Sequence, residues 1–346
     1  MKLEGKRILV TGGTGSLGKK IVERLLTREL GRPSRVIVFS RDEAKQHYMR
    51  LSYQSRSNAT DDVIYRDSQE LLSFRIGDVR DYDALSKAVR ECDAVFHAAA
   101  LKQVPTCEYF PTEAVKTNIL GAANLARAVQ EAPKKPEVVV GISTNKACKP
   151  INVMGMTKAL QERILIEANI HVEGTRFACV RYGNVLASRG SVVPLFLQQI
   201  ADGGPVTITR RDMTRFFLSL DEAVDTVFAA VRSALPGETY VPKVAAANVI
   251  DMATALVGDR KIEIRVTGIR PGEKIHEVMV SEEECHRTFE RDGYYVIAPI
   301  LPELRKEAVV PALDGEYSSS VITLSTAELV PMLEPYARDF ARGALT

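Results

Sequence analysis

Short apolar runs alternate with longer amphipathic segments through the first half of the chain. The apolar runs predict strands at Arg7–Val10, Arg35–Phe39, Ser73–Ile76, Ala94–Ala98, Val138–Ile142 and Phe177–Arg181. The segments between them have the helical period and predict helices at Leu17–Thr27, Tyr82–Val89, Pro111–Gln130 and Met156–Ala168. Because the strands are apolar along almost their whole length, we expect both faces of their sheet to be buried. The alternation therefore predicts an α/β fold, a doubly wound parallel sheet with helices on both faces.

The strand–helix alternation ends near residue 185, where proline and glycine begin to separate shorter elements. Such punctuation indicates a smaller second lobe. We expect a first domain over residues 1–185, a C-terminal lobe over 186–300 with segments that can return to the first domain, and an unassigned tail over 301–346. Residues 52–70 are polar and lack clear periodicity, so we interpret them as a surface excursion or a weakly ordered helix.

Composition and charge exclude several classes of function. The 346 residues suggest about two domains. The 46 Lys and Arg residues almost balance the 44 Asp and Glu residues, and the net charge of +2 argues against a nucleic-acid partner or an acidic membrane surface. No apolar run approaches the roughly 18 residues that span a bilayer, and the strand-like run from Ile8 leaves no room for a signal peptide. We therefore expect a cytoplasmic protein without a membrane partner.

The cysteines argue against a disulfide framework and against a zinc site. They are odd in number and contain no CxxC pair: Cys92, Cys107, Cys148, Cys179 and Cys285. We interpret them as small buried thiols in a reducing compartment, and we predict no metal site.

A glycine-rich loop separates the first predicted strand from the first predicted helix. It reads Thr11-Gly12-Gly13-Thr14-Gly15-Ser16-Leu17-Gly18. In this position glycines let the backbone approach a pyrophosphate, which then lies at the positive N-terminus of the helix. The loop predicts a Rossmann-type domain that binds a dinucleotide through Gly12, Thr14, Gly15, Ser16, Leu17 and Gly18.

The end of the second strand bears on which dinucleotide is bound. NAD sites usually place a carboxylate there for the ribose hydroxyls, whereas this strand ends at Ser40 and is followed by Arg41. A guanidinium pairs well with a 2′-phosphate, and Lys45 lies one helical turn further on. We therefore predict NADP; in the alternative, Asp42 or Glu43 binds the ribose and the cofactor is NAD. The pair after the third strand is expected beside the adenine: Asp78 and Val79.

Further segments resemble the extended short-chain dehydrogenase/reductases. These are His97-Ala98-Ala99-Ala100-Leu101-Lys102, Ser143-Thr144, Lys158 and Arg181-Tyr182-Gly183-Asn184. Three later segments resemble the polysaccharide-biosynthesis branch of that family, typified by UDP-N-acetylglucosamine 4,6-dehydratases: Gly190–Pro194, Met213–Phe217 and Arg270–Glu277. The resemblance covers roughly residues 5–290.

The resemblance implies a reaction on a UDP-sugar with a recycled nicotinamide cofactor. The C4 hydroxyl is oxidised, C5 is deprotonated, water leaves from C6, and the hydride returns to C6; some enzymes of this type also invert C5. Elimination is accessible beside the transient ketone, which explains why a redox cofactor serves a dehydration. The resemblance also places Ala98, Ala99 and Ala100 beside the cofactor, and it implies a homo-oligomer in which Pro111–Gln130 can take part.

The catalytic residues implied by the resemblance include one substitution at the usual tyrosine. Met154 stands four residues before Lys158, where most of the superfamily has the tyrosine that takes the C4 hydroxyl proton. A thioether cannot take that proton, although some members of the nucleotide-sugar dehydratase branch also carry Met. Lys146 then becomes the leading base. Thr144 is expected to hydrogen-bond the C4 oxygen, and Lys158 to hold the nicotinamide ribose.

This chain also differs from the dehydratases at the position of the general acid. The dehydratases have Thr-Asp-Lys where this chain has Thr144-Asn145-Lys146, and the Asp is thought to protonate the departing C6 hydroxyl. An amide cannot deliver a proton as a carboxylic acid does, and a general acid contributes about 10²–10⁴-fold. Three interpretations stay open: another, water-relayed acid; an epimerase or 5,6-dehydratase that omits full 4,6-dehydration; or an Asp-to-Asn change that traps substrate.

The diphosphate and uracil of such a substrate need cations and polar groups. We assign substrate contacts to Lys102, Asn184, Val192, Arg215, Arg270, Glu273 and Lys274. The leading hypothesis is an NADP-dependent lyase, a UDP-N-acetylglucosamine 4,6-dehydratase. The alternatives are a nucleotide-sugar epimerase and a catalytically silent protein that binds NADP and a UDP-sugar.

Overall fold

The computed structural model describes residues 2–56, 71–186, 191–305, 309–321 and 323–342. The segment 52–70, interpreted above as an excursion or a weak helix, falls mostly outside these residues: positions 52–56 end a helix, and 57–70 are not described. Gly190, which opens one of the motifs, is also outside the described residues.

Nine strands form the main sheet in the described part of the chain, in the order β14-β15-β10-β6-β5-β4-β1-β2-β3. Their bounds are β1 Arg7–Thr11, β2 Arg35–Ser40, β3 Leu72–Ile76, β4 Ala94–His97, β5 Val138–Ile142, β6 Arg176–Val180, β10 Thr239–Pro242, β14 Thr288–Arg291 and β15 Tyr294–Ile297. The strands from β10 to β3 run parallel, and the β14–β15 hairpin adds antiparallel to β10. The order 3-2-1-4-5-6 is the Rossmann order, so the predicted fold class is confirmed.

Smaller sheets lie outside this core. Their strands are β7 Asn184–Val185, β8 Val206–Ile208, β9 Thr214–Leu218, β11 Ala246–Asn248, β12 Ile264–Val266, β13 Val278–Val280, β16 Tyr317–Ser318 and β17 Thr323–Leu324. They pair in the orders β17-β11-β9-β7, β12-β8 and β13-β16. Because β10, β14 and β15 belong to the main sheet, segments beyond residue 185 interleave with the first domain. The boundary at residue 185 itself stays a prediction.

Helices cover both faces of the main sheet. Their bounds are α1 Ser16–Leu26, α2 Glu43–Arg56, α3 Tyr82–Val89, α4 Val104–Tyr109, α5 Pro111–Ala114, α6 Gly121–Gln130, α7 Val153–His171, α8 Val192–Ala201, α9 Leu220–Ser233, α10 Val249–Val257, α11 Glu282–Cys285 and α12 Thr326–Ala341. Alternate strand residues point to opposite faces: Ile8 and Val10 pack with α1 and α9, whereas Leu9 packs with α6 and α7. This alternation explains why the strands are apolar throughout.

The predicted helix Pro111–Gln130 is interrupted by a π-helical turn, Val115–Leu120, between α5 and α6. The turn carries Asn118, which is fully buried. Asn118 accepts from the backbone N–H of Leu101 at 2.8 Å and donates to its carbonyl at 3.0 Å and to Thr157 Oγ1 at 3.0 Å. The wider turn therefore ties the loop after β4 to α7, and π-helical turns of this kind are common beside functional sites.

Candidate functional site

One cleft of about 1290 Å³ runs along the carboxyl ends of the parallel strands. It begins between β2 and β4, on either side of β1, where the strand order reverses and α/β sheets bind ligands. All of the predicted site residues except Asn145 line it, including those assigned to the cofactor, to catalysis and to the substrate. The fold thus brings together positions that lie more than 250 residues apart in the sequence, such as Gly12 and Lys274.

The glycine-rich loop forms the floor of one end of the cleft. Gly12 has φ +66°, and a Cβ at this position would lie 2.7 Å from the backbone nitrogen of Ala99. Only glycine therefore lets β1 and the loop after β4 approach each other here. Helix α1 begins at Ser16, and its N-cap Gly15 provides no side-chain hydrogen bond. The first N–H groups of α1 are left for a ligand, as at dinucleotide pyrophosphate sites.

The second strand ends in a polar pocket at the mouth of this region. Ser40 is buried, and Gln46 Nε2 donates to its carbonyl at 2.9 Å and to its hydroxyl at 3.1 Å. Asp42 is bound to Lys45, with Nζ 2.5 Å from a carboxylate oxygen. The Arg41 side chain is 58% exposed and lies 3.8 Å from Asp78. Asp42, one of the two carboxylates proposed as alternative ribose ligands, is thus already paired with a cation.

The chain after β5 carries the residues predicted to be catalytic. Thr144 caps a 3₁₀ turn, Asn145–Ala147, and its hydroxyl donates to Asn145 Oδ1 at 2.9 Å. Asn145 is fully buried, and its Nδ2 has no hydrogen-bond partner among the described residues. Thr144 and Lys146 line the cleft, but Asn145 does not. The side chain at position 145 therefore lies behind Thr144, and its assignment to the catalytic group stays a prediction.

Lys146 points its amine along the cleft. Its Nζ donates to Asn184 Oδ1 at 3.0 Å and lies 3.4 Å from Glu277 Oε1, and its side chain is 22% exposed. Gly155 lets α7 approach this turn closely, because a Cβ there would collide with the Lys146 carbonyl. Asn184 accepts this hydrogen bond from the predicted base, and its predicted contact with a substrate stays a prediction.

Lys158 and Met154 lie on one face of α7, beneath the cleft. The Lys158 amine donates to the Ile142 carbonyl at 2.5 Å and to Gln161 Oε1 at 2.6 Å. Burial lowers the pKa of Lys158 to about 8. Met154 is buried in a small apolar cluster with Cys107 and Ala114, so no hydroxyl occupies the position of the usual tyrosine. The predicted ribose contact of Lys158 stays a prediction.

The family model described as "Polysaccharide biosynthesis protein" matches residues 8–299. The chain belongs to this family. UDP-N-acetylglucosamine 4,6-dehydratase (inverting) from Campylobacter jejuni is 41% identical over 310 residues, 88% of this chain and 86% of that protein. A protein named UDP-glucose 4-epimerase from Rickettsia bellii is 43% identical over 297 residues, 84% of this chain and 82% of its own. The crystal structure of Pen from Bacillus thuringiensis is 33% identical with a TM-score of 0.85, covering 97% of this chain and 99% of that one.

The far end of the cleft in this family member carries most of the predicted substrate cations. Arg215 is 8% exposed, and its guanidinium donates to the carbonyls of Thr214 at 2.7 Å and Ile275 at 3.0 Å. Lys274 donates to the Cys148 carbonyl at 2.6 Å, and burial lowers the pKa of its amine. Arg270 is exposed at the rim.

Three further predicted substrate contacts lie along the walls of the cleft. Glu273 accepts from the backbone N–H of Arg270 at 3.3 Å. Val192 opens α8 at the cleft wall, and Lys102 lies exposed on the loop after β4. Each of these positions lines the cleft, and their contacts with a substrate stay predictions.

Sequence reasoning left Glu277 without a role, although it ends the Arg270–Glu277 motif. It is 2% exposed and lies beside Lys146. One signal in the sequence could have pointed to Glu277: it directly precedes an apolar strand, Val278–Val280, and is therefore expected to be buried. Because charged residues are seldom buried without a partner, a nearby cation could have been predicted.

Within the described ranges, no group of three or more His, Cys, Asp or Glu side chains is placed to hold a metal ion, and the five cysteines are buried and unpaired. None of the helices described by the structure combines the length and apolar character needed to cross a membrane.

Proposed function

We propose that the chain is a nucleotide-sugar 4,6-dehydratase that acts on UDP-N-acetylglucosamine, with a homo-oligomeric form in solution. The observation that carries the proposal is the single cleft in which a dinucleotide-type glycine loop, the Lys146 amine and a group of buried cations follow one another. The proposal takes its reaction from the name of the Campylobacter relative, UDP-N-acetylglucosamine 4,6-dehydratase (inverting).

The glycine loop fits a nicotinamide dinucleotide for two reasons. Gly12 lies so close to the backbone of Ala99 that any Cβ would collide with it, and the N-terminus of α1 has no side-chain cap that would compete with a pyrophosphate. When bound, the cofactor supplies hydride acceptance and return. We propose NADP as the cofactor. Ser40 carries no charge that would repel a 2′-phosphate, and Arg41 and Lys45 lie beside it at the cleft mouth; NAD is the alternative.

The proton steps fall to Lys146 and its neighbours. We assign both proton removals to Lys146, because its amine lies in the cleft and is oriented by Asn184. The neutral amine takes the C4 hydroxyl proton when C4 is oxidised, releases it to solvent, and then takes the C5 proton. Thr144 lines the cleft from the same loop, and we assign to its hydroxyl a hydrogen bond with the C4 oxygen. Lys158 orients the ribose from below. Arg215, Lys274 and Arg270 lie where a diphosphate needs positive charge.

The epimerase is the second candidate. Asn145 is an amide, is buried and is excluded from the cleft, so it supplies no acid for the departing C6 hydroxyl. The Rickettsia relative carries the corresponding epimerase name at 43% identity. In the dehydratase, a water relayed through Thr144 takes the role of the acid.

Mass spectrometry separates the candidates. The protein is incubated with UDP-N-acetylglucosamine and either NADP⁺ or NAD⁺, in ordinary water and in D₂O. A dehydratase gives a product lighter by one water, with deuterium at C5 when C5 is inverted. An unchanged mass with altered sugar stereochemistry supports the epimerase. Tight binding without turnover supports a silent binding protein and contradicts both enzymes.

The oligomer proposal rests on the surface beside the cleft. Tyr109 is 83% exposed and Phe110 is 59% exposed, both at the junction of α4 and α5. Large apolar side chains exposed next to each other favour association. Light scattering should give a mass of at least two chains, and a monomer at micromolar concentration contradicts the proposal.

A further inference from the structure

Glu277 is a buried carboxylate that borders the candidate base. Its Oε1 lies 3.4 Å from Lys146 Nζ and 3.8 Å from Arg215 Nε. Its Oε2 is buried and has no hydrogen-bond partner among the described residues. Burial of a carboxylate is strongly unfavourable unless it is paired, so its position needs a reason beyond packing.

The backbone holds Glu277 in place from behind the cleft. Its N–H donates to Ser319 Oγ at 2.8 Å, and its carbonyl accepts from the Ser319 N–H at 2.8 Å. Ser319 is itself fully buried and hydrogen-bonded to Thr214 Oγ1 at 2.7 Å. Because these contacts fix the main chain, the carboxylate has little freedom to move away from Lys146.

Charges from several elements face this carboxylate. The cations are Lys146 on the loop after β5, Arg215 on β9 and Lys274 on the adjoining loop; Glu273 is the other carboxylate near Arg215. Burial raises the pKa of Glu277, but the three cations outweigh it and hold that pKa below its usual range. Lys146 therefore has a permanent anion on one side and the neutral amide oxygen of Asn184 on the other.

We propose that Glu277 is a positioning residue for Lys146, holding the amine against Asn184 at the wall of the cleft and setting the pH at which the amine accepts a proton. The assignment rests on the proposed function only where Lys146 is called the base. An anion at 3.4 Å stabilises the ammonium form. When that anion is removed, Arg215 and Lys274 remain as like charges, so the neutral amine becomes more favourable.

The first test needs no substrate. Trace acetylation with acetic anhydride modifies only neutral amines, and peptide mass spectrometry reports the rate at Lys146 from pH 6 to 11. We expect Glu277→Gln to move the midpoint of this rate to lower pH by at least about one unit, a tenfold change in the neutral fraction. The control is Glu290→Gln, which removes a carboxylate paired with Lys243 outside the cleft and should leave the midpoint unchanged. An unmoved midpoint in folded Glu277→Gln overturns the proposal.

The second test uses turnover. In the plot of kcat against pH, the fall in kcat on the acid side should move to lower pH in Glu277→Gln. Glu277→Asp keeps the negative charge, so its kcat should be lower but should fall at the same pH as in the wild type. A purely structural role would lower the rate of both variants without moving the pH of this fall, and that result also contradicts the proposal. If Glu277→Gln fails to fold by circular dichroism, the acetylation measurement is made on Glu277→Met, which is also uncharged and has a side chain of similar length. An unmoved midpoint in folded Glu277→Met overturns the proposal. Wild-type protein that leaves UDP-N-acetylglucosamine unchanged refutes the proposed function, while the acetylation result still decides the role of Glu277.

Discussion

Lys158 allows a quantitative test of how the floor of the cleft is built. Its side chain is 6% exposed, and burial lowers its pKa from 10.5 to about 8, against the opposing effect of Glu162. In the unfolded chain the pKa returns to the usual value. The difference of about 2.5 units corresponds to about 3 kcal/mol, by which the buried ammonium destabilises the fold below pH 8.

The sign follows from proton binding. Between pH 8 and 10.5 the folded protein has released this proton and the unfolded chain still holds it, so the stability of the fold rises with pH. From pH 7.5 to 9.5 the rise attributable to Lys158 is about 2 kcal/mol. Lys158→Met removes the amine and keeps the length of the side chain, so it should lack this rise.

Urea unfolding at pH 7.5, 8.5 and 9.5 gives the free energy of unfolding for both proteins. The wild-type value minus the Lys158→Met value should increase by about 2 kcal/mol over this range, because other titrating groups cancel in the difference. A difference independent of pH would refute the reasoning, since it would mean that Lys158 has the same proton affinity in the folded and unfolded chain.

Three further predictions concern the cofactor end of the cleft and position 145. Arg41→Ala should weaken NADP⁺ binding at least tenfold and leave NAD⁺ binding nearly unchanged, as measured by calorimetry; equal losses would contradict the assignment to a 2′-phosphate. Gly12→Ala should abolish dinucleotide binding, measured by the fluorescence of bound reduced cofactor, whereas Gly174→Ala, which has φ +80° and open space around it, should retain binding. Asn145→Asp should speed dehydration at least tenfold, because a buried carboxyl hydrogen-bonded to Thr144 stays protonated and can act through that hydroxyl; an unaltered rate would exclude position 145 from acid catalysis.

Much of the fold is predictable because its signal is local. Each predicted strand lies within one residue of the observed bounds; for example, Ala94–Ala98 is observed as Ala94–His97. The π-helical turn in Pro111–Gln130 depends on Asn118 reaching Leu101 and Thr157, which are distant in sequence. Likewise, nothing in the run Thr239–Pro242 indicates that it pairs with β6 and extends the first sheet.

In the candidate site, too, local features could be predicted from the sequence and long-range contacts could not. Motif spacing predicts which residues line the cleft, because loops after parallel strands meet at one edge. It does not predict side-chain direction: Thr144 and Lys146 line the cleft, whereas Asn145, which lies between them and begins the 3₁₀ turn, does not. Asn184 and Glu277 become neighbours of Lys146 only through the fold.

The central claim is that the Lys146 amine removes the C5 proton of a bound UDP-sugar. Its most direct test is deuterium incorporation at C5 from D₂O, followed by mass spectrometry for wild type, Lys146→Ala and the control Lys149→Ala, which removes an amine paired with Glu316 on the surface. Exchange should fall at least about 10²-fold in Lys146→Ala and stay at the wild-type rate in Lys149→Ala. Exchange that persists in folded, cofactor-bound Lys146→Ala would contradict the claim.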